Sequence, residues 1–82
     1  MRFSAAIEFC IYRNKKIRRT GWNGRSQYVI LGKDIAFLEP NDKCEWEICE
    51  CDKALIFHGT SGIQVGWLAS QGDMLADDWE VI

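Results

Sequence analysis

Residues 18–25 read Arg-Arg-Thr-Gly-Trp-Asn-Gly-Arg, an indole and a carboxamide set between two glycines with arginines on both sides. An indole face stacks on a nucleobase for about 1–3 kcal/mol. An asparagine amide offers the paired donor and acceptor that an adenine edge presents, and arginine forks hold phosphates. Trp22, Asn23, Arg18, Arg19 and Arg25 together therefore describe a nucleotide site in which Gly21 and Gly24 let the backbone approach a ligand. The same residues also describe a turn whose tryptophan folds back as a core anchor while the arginines stay hydrated. Residue types alone leave both readings open.

Other chemistry is weaker. Cys44, Cys49, Cys51 and His58 could be assembled into a zinc site, but the spacing C-x4-C-x-C-x6-H lacks the C-x2-C knuckle of a tight metal turn. Reduced thiols packed as small apolar residues, beside a surface histidine, are the preferred account. His58 has no nucleophile motif to serve, and acids such as Asp77 and Asp78 are scattered as on a solvated surface. No enzymatic activity, metal or cofactor is expected. Neither a P-loop nor a G-x-G-x-x-G is present, so the familiar phosphate cradles are absent.

The elements that must carry the turn follow from periodicity. Phe3, Ala6, Ile7, Cys10 and Ile11 recur at helical spacing behind Ser4, an N-cap residue type, which predicts a helix over 4–13 with a stop at Asn14. Residues 15–20 predict a short edge or half-exposed strand with Ile17 as its apolar residue, and Gln27 to Leu31 a second strand. A less regular stretch then runs over 32–42. The segment 44–51 alternates as a strand, and 54–57 and 63–68 flank a hairpin turn at His58-Gly59-Thr60-Ser61-Gly62. Ser70 and Asp73 have capping-box spacing before a helical turn over 71–76, and a last strand covers 79–82. The sum is an α+β fold, one N-terminal helix packed on an antiparallel sheet of four to six strands. With one sheet face left uncovered, this reads as a single small domain, 1–82, in a homo-oligomer.

Composition sets the bounds. With 82 residues, 48% of them hydrophobic, four tryptophans and one proline, the chain is globular, and a domain this small buries only about 60–65% of its unfolded surface. The net charge of −2 conceals a division: residues 1–33 hold eight of ten bases and one of twelve acids, and the remainder is strongly acidic. A small anion suits that pattern better than a long polyanion, so no nucleic-acid polymer is expected as a partner. No apolar run reaches a membrane span, and a soluble, cytoplasmic protein is expected.

Two motifs extend this reading. "GWNG" at 21–24 after a basic strand, and "WLASQGDMLADDWEVI" at 67–82, together with the helix-initial "FSAAIEF", resemble in order and spacing a family of small phage proteins that includes the second type of Thoeris anti-defence protein. The resemblance implies a sponge acting in the host bacterial cytoplasm. Such a protein binds a cyclic nucleotide immune signal, a cyclic ADP-ribose isomer, and holds it without cleavage; some members also take cyclic dinucleotides at a separate site. It implies a homotetramer, with a homodimer as the other expectation, and pockets between subunits. On this chain it makes Trp22 the stacking residue with Asn23 beside it. Ser70, Gln71 and Asp73 complete the pocket or cap the last helical turn, and Tyr28 is a second wall or a core residue. Trp67 and Trp79 read as core or interface anchors. Arg18, Arg19 and Arg25 rest on charge alone. The alternative is a phage structural or protein-interaction module with no small ligand.

Overall fold

Ala6 and Cys10, one helical turn apart, are fully buried, and around them the N-terminal segment forms helix α1, Phe3–Arg13. The computed structural model describes residues 1–22, 26–40, 42–43 and 45–82, with the backbone alone for 34–40 and 46–51. The strands are β1 (Ile17–Arg19), β2 (Tyr28–Pro40), β3 (Trp46–Gly59), β4 (Gly62–Val65) and β5 (Trp79–Val81), with helix α2 (Gln71–Leu75) before the last. They form one antiparallel five-stranded sheet in the order β4-β3-β2-β1-β5. This is the expected α+β fold, an N-terminal helix on an antiparallel sheet. Among the described residues no helix is long and apolar enough to cross a membrane.

Several boundaries differ from expectation for physical reasons. Ser4 is not the N-cap of α1: that position is Arg2, without a side-chain cap. Backbone bonds hold the entry instead, since Trp79 N donates to the Met1 carbonyl at 3.1 Å and Met1 N donates to the Trp79 carbonyl at 2.7 Å. Asn14 does end the helix, in the left-handed conformation at φ 53° that asparagine tolerates. β1 is an interior strand rather than an edge, because the distant β5 pairs along its other side and leaves Ile17 fully buried. The stretch after Leu31 continues as strand to Pro40, and 46–59 is one strand, because each supplies the other's ladder through an unbroken register from Tyr28↔His58 to Pro40↔Trp46. Pairing here overrides the low strand propensity of Gly32 and Asp34.

The β3–β4 hairpin forms as expected, but β4 ends at Val65. Gly66 adopts φ +81°, and both Gly66 and Trp67 amides donate to the Leu55 carbonyl at 2.9 Å. That turn sends Trp67 back over the helix-covered face, where it joins Ala6, Cys10, Ile17, Val29 and Trp79 in the core. Burial pushes the Cys10 thiol pKa up, in keeping with its packing among apolar groups.

The long β2–β3 ribbon gives the molecule extents of 47 × 26 × 21 Å. Its radius of gyration, 14.6 Å, exceeds the roughly 12 Å of a compact domain of this length. Ile17→Ala is expected to lower unfolding free energy by about 2–5 kcal/mol in urea titrations. Asn14→Val should cost about 1–2 kcal/mol through the left-handed backbone alone, and Asn14→Gly nothing.

Candidate functional site

Strand pairing of Arg19 with Trp79 brings the turn that follows β1 against the end of the chain. Arg19 lies at the junction. Its Nε donates to Asp78 Oδ1 at 2.9 Å and its Nη1 to Asp73 Oδ1 at 3.0 Å. Asp78 then holds the turn itself: Oδ2 accepts from the Gly21 amide at 3.2 Å and the Thr20 hydroxyl at 3.4 Å, and the Asp78 carbonyl accepts from Thr20 N at 3.0 Å. The Trp22 amide closes the turn onto the Arg19 carbonyl at 3.2 Å.

The second carboxylate is equally committed. Asp73 N donates to Ser70 Oγ at 3.1 Å and Asp73 Oδ2 accepts from Ser70 N at 3.3 Å, the capping box expected from the spacing. The Asp73 carbonyl takes the Trp79 indole N–H at 2.8 Å, so α2 is tied to the core as well as to Arg19.

Held by this clasp, the half-buried Trp22 ring meets three others nearly edge to face. Its centroid is 5.3 Å from Phe57 at 79°, 5.3 Å from Trp79 at 77° and 6.3 Å from Trp67 at 81°. Contacts of this kind contribute about 0.5–1.5 kcal/mol each beyond their burial. Trp67 and Trp79 are core anchors as expected, at 9% and 2% exposure. Trp22 belongs to the same cluster, while its remaining surface faces solvent. The core-anchor account of this turn therefore holds for one side of the ring.

The electrostatics match the geometry. The Arg19 hydrogen bond, opposed by partial burial and aided by the Gly21 amide, holds the Asp78 carboxyl below its ordinary 3.8. For Asp73, burial is the largest influence and acts upward, but the Arg19 and Ser70 bonds together outweigh it and the net direction is down. Arg19 is correspondingly raised, chiefly by Asp78 and then Asp73.

The other predicted site residues fall differently. Gln71 is exposed at the first position of α2, next to Ser70. Arg18 and Tyr28 alternate with buried Ile17 and Val29, so they lie on the face away from Trp22. There Arg18 Nε donates to Glu80 at 2.6 Å. Tyr28 stacks on His58 with centroids 4.4 Å apart, under the Lys16 ammonium at 4.6 Å. Asn23 and Arg25 lie outside the described residues, as does Cys44, and Cys49 and Cys51 are described by backbone alone. Among the described residues no group of three or more His, Cys, Asp or Glu is placed to hold a metal ion.

Two site residues escaped the sequence reading. Asp78, read as part of a scattered acidic surface, is instead the anchor of the Trp22 turn. Phe57 sat unremarked in the continuous apolar run Ala54-Leu55-Ile56-Phe57; its pairing with buried Val29 across the sheet is a register that no pattern in the sequence displays.

The pH dependence follows. Unfolded carboxyls protonate near 3.8 and the folded ones lower, so the stabilisation is complete above that value and is lost as pH falls through the folded values. Melting temperatures are expected to fall below about pH 4. Arg19→Met should be less stable than the parent at neutral pH, with the gap closing in acid. A gap constant with pH would show that the clasp does not carry the effect.

No curated protein sequence matches the chain. A family model for the Tad2-like domain, described as Thoeris anti-defense 2-like, matches residues 1–82. It spans the Trp22 turn and the Ser70–Trp79 segment that clasps it, so the interlocked elements fall within one family match. The chain belongs to the Tad2-like, Thoeris anti-defense 2-like family, which assigns it a role in Thoeris anti-defence.

Proposed function

We propose that the protein counters Thoeris defence as a sponge: it binds the cyclic nucleotide signal, a cyclic ADP-ribose isomer, in the host bacterial cytoplasm and withholds it uncleaved. The observation that carries this reading is the half-buried Trp22 ring, fixed by Arg19, Asp73 and Asp78 before any ligand arrives. Sequestration requires a dissociation constant near nanomolar, about −12 kcal/mol. A prepositioned ring contributes its stacking without an ordering cost. The clasp acids favour holding over cleaving, because both are spent on Arg19 rather than poised to move a proton.

The assembly we propose is a homotetramer or homodimer with the pocket completed between subunits. Its support is the uncovered sheet face, where Ile63 and Val65 are 64% and 50% exposed, and the projecting β2–β3 ribbon. The ribbon's register places Phe37 opposite Cys49 and Leu38 opposite Ile48. Cyclic dinucleotides are a further ligand class for such an assembly. The phosphate partner is not assigned to Arg18 or Arg19, whose guanidinium groups bond Glu80, Asp73 and Asp78.

The same uncovered face favours a second reading, a structural or protein-interaction module without a small ligand. Native mass spectrometry and calorimetry with cyclic ADP-ribose isomers and cyclic dinucleotides separate the two. Retention of intact ligand on a symmetric oligomer supports the sponge; an oligomer that retains none supports the module; hydrolysed product would make the protein an enzyme. Trp22→Leu is expected to keep the oligomer and weaken binding about 5- to 150-fold, the loss of one stacked base.

A further inference from the structure

The three rings that meet Trp22 are held in different ways. Trp79 is 2% exposed and its indole N–H is bonded to the Asp73 carbonyl at 2.8 Å; Trp67 is 9% exposed and its amide is bonded to the Leu55 carbonyl at 2.9 Å. Phe57 is half-buried, and a phenyl ring has no polar atom with which to fix itself. Packing sets its orientation. Trp22 lies nearly perpendicular to it at 5.3 Å and 79°, and Trp67 nearly parallel at 6.3 Å and 25°.

Gly59 faces one edge of the same ring. The two residues are two positions apart on β3, so they share a face of the sheet. A Cβ at residue 59 would lie 2.8 Å from Phe57 Cε1, 3.4 Å from Cζ and 3.5 Å from Cδ1, three successive carbons of the ring. The shortest of these falls about 0.7 Å inside the ~3.5 Å at which carbon atoms pack favourably. The backbone does not call for glycine at 59, since positive φ falls on Gly62 and Gly66 instead. What the missing side chain supplies is room for the ring. Gly59→Ala would displace Phe57, and of the two rings that Phe57 meets, the half-buried Trp22 has more space to yield than the buried Trp67.

Building on the sponge reading above, we propose that Gly59 is a positioning residue for the ligand site: without touching the ligand, it lets Phe57 lie where it sets the Trp22 ring in the posture that stacks on a base. The clasp of Arg19, Asp73 and Asp78 fixes the backbone of the turn. Phe57 and Gly59 fix the ring that the turn carries, so the β3–β4 hairpin tunes an affinity whose contact residue belongs to another loop.

A double-mutant cycle tests this by calorimetry with cyclic ADP-ribose isomers, read beside melting temperature and near-ultraviolet circular dichroism. The part of the dichroism that Trp22→Leu removes reports the posture of the Trp22 ring. Gly59→Ala is expected to diminish that part, to melt close to the parent and to bind at least about 5-fold more weakly, short of the loss in Trp22→Leu. In a Phe57→Leu background there is no ring to displace, so adding Gly59→Ala is expected to change affinity by less than about 2-fold. If Gly59→Ala binds like the parent, or weakens binding equally with and without the Phe57 ring, the positioning role falls and the sponge reading stands. Should Phe57→Leu bind too weakly to measure, an unaltered Trp22 contribution to the dichroism of Gly59→Ala overturns the role, and a diminished one upholds it. If the parent binds no cyclic ADP-ribose isomer, nor any cyclic dinucleotide, both proposals fall.

Discussion

Arg19 is the constraint on which the remaining structure depends. One guanidinium satisfies two carboxylates from separate points of the C-terminal segment, and through them it joins β1, the Trp22 turn, the cap of α2 and the edge of the sheet. Its side chain is 27% exposed, with Asp73 at 17% and Asp78 at 29%, between a hydrated surface pair and a buried one. Pairs in this regime add little net stability, yet removing one partner leaves a half-desolvated charge, which costs more than the pair contributes. The clasp is therefore better understood as fixing geometry than as holding the molecule together. Stability comes from the apolar layer beneath, where Trp79 packs against Phe3 at 5.3 Å while its indole N–H reports to Asp73.

The two faces of the sheet divide the labour. The helix side carries the fully enclosed residues Ala6, Cys10, Ile17 and Val29 and the aromatic cluster; the other side carries the Glu80–Arg18 pair, the Tyr28–His58 stack and exposed aliphatic residues. A strand alternates its residues, so neighbours such as Arg18 and Arg19 cannot serve the same site. This is why a run of adjacent arginines, read as one basic cluster, resolves into two unrelated ion-pair systems.

What the sequence disclosed was chiefly local. The Ser70–Asp73 capping box and the Asn14 helix stop depend on backbone within a few residues, and both are found where the spacing put them. The interior position of β1 was hidden because its second neighbour, β5, lies about sixty residues away. The continuation of β2 past Gly32 and Asp34 was hidden because the matching ladder of β3, rather than propensity, stabilises it. At the site, Trp22 was recognisable as exceptional in a turn, but its shared duty in the core could not be seen without the three rings it meets. Asp78 carries no motif; only the fold gives it Gly21 and Thr20 as partners.

The bonds that shape the site join residues 54 to 59 positions apart in an 82-residue chain. Contacts of such separation close late, after the loop entropy of about two thirds of the chain has been overcome. The helix and the β2–β3 hairpin can form from nearby residues, but the Trp22 turn lacks its Asp78 and Arg19–Asp73 ties until the segment 73–78 has emerged and docked. Folding and site assembly are consequently one event: a chain stalled in synthesis or clipped ahead of Asp73 has the indole without the posture.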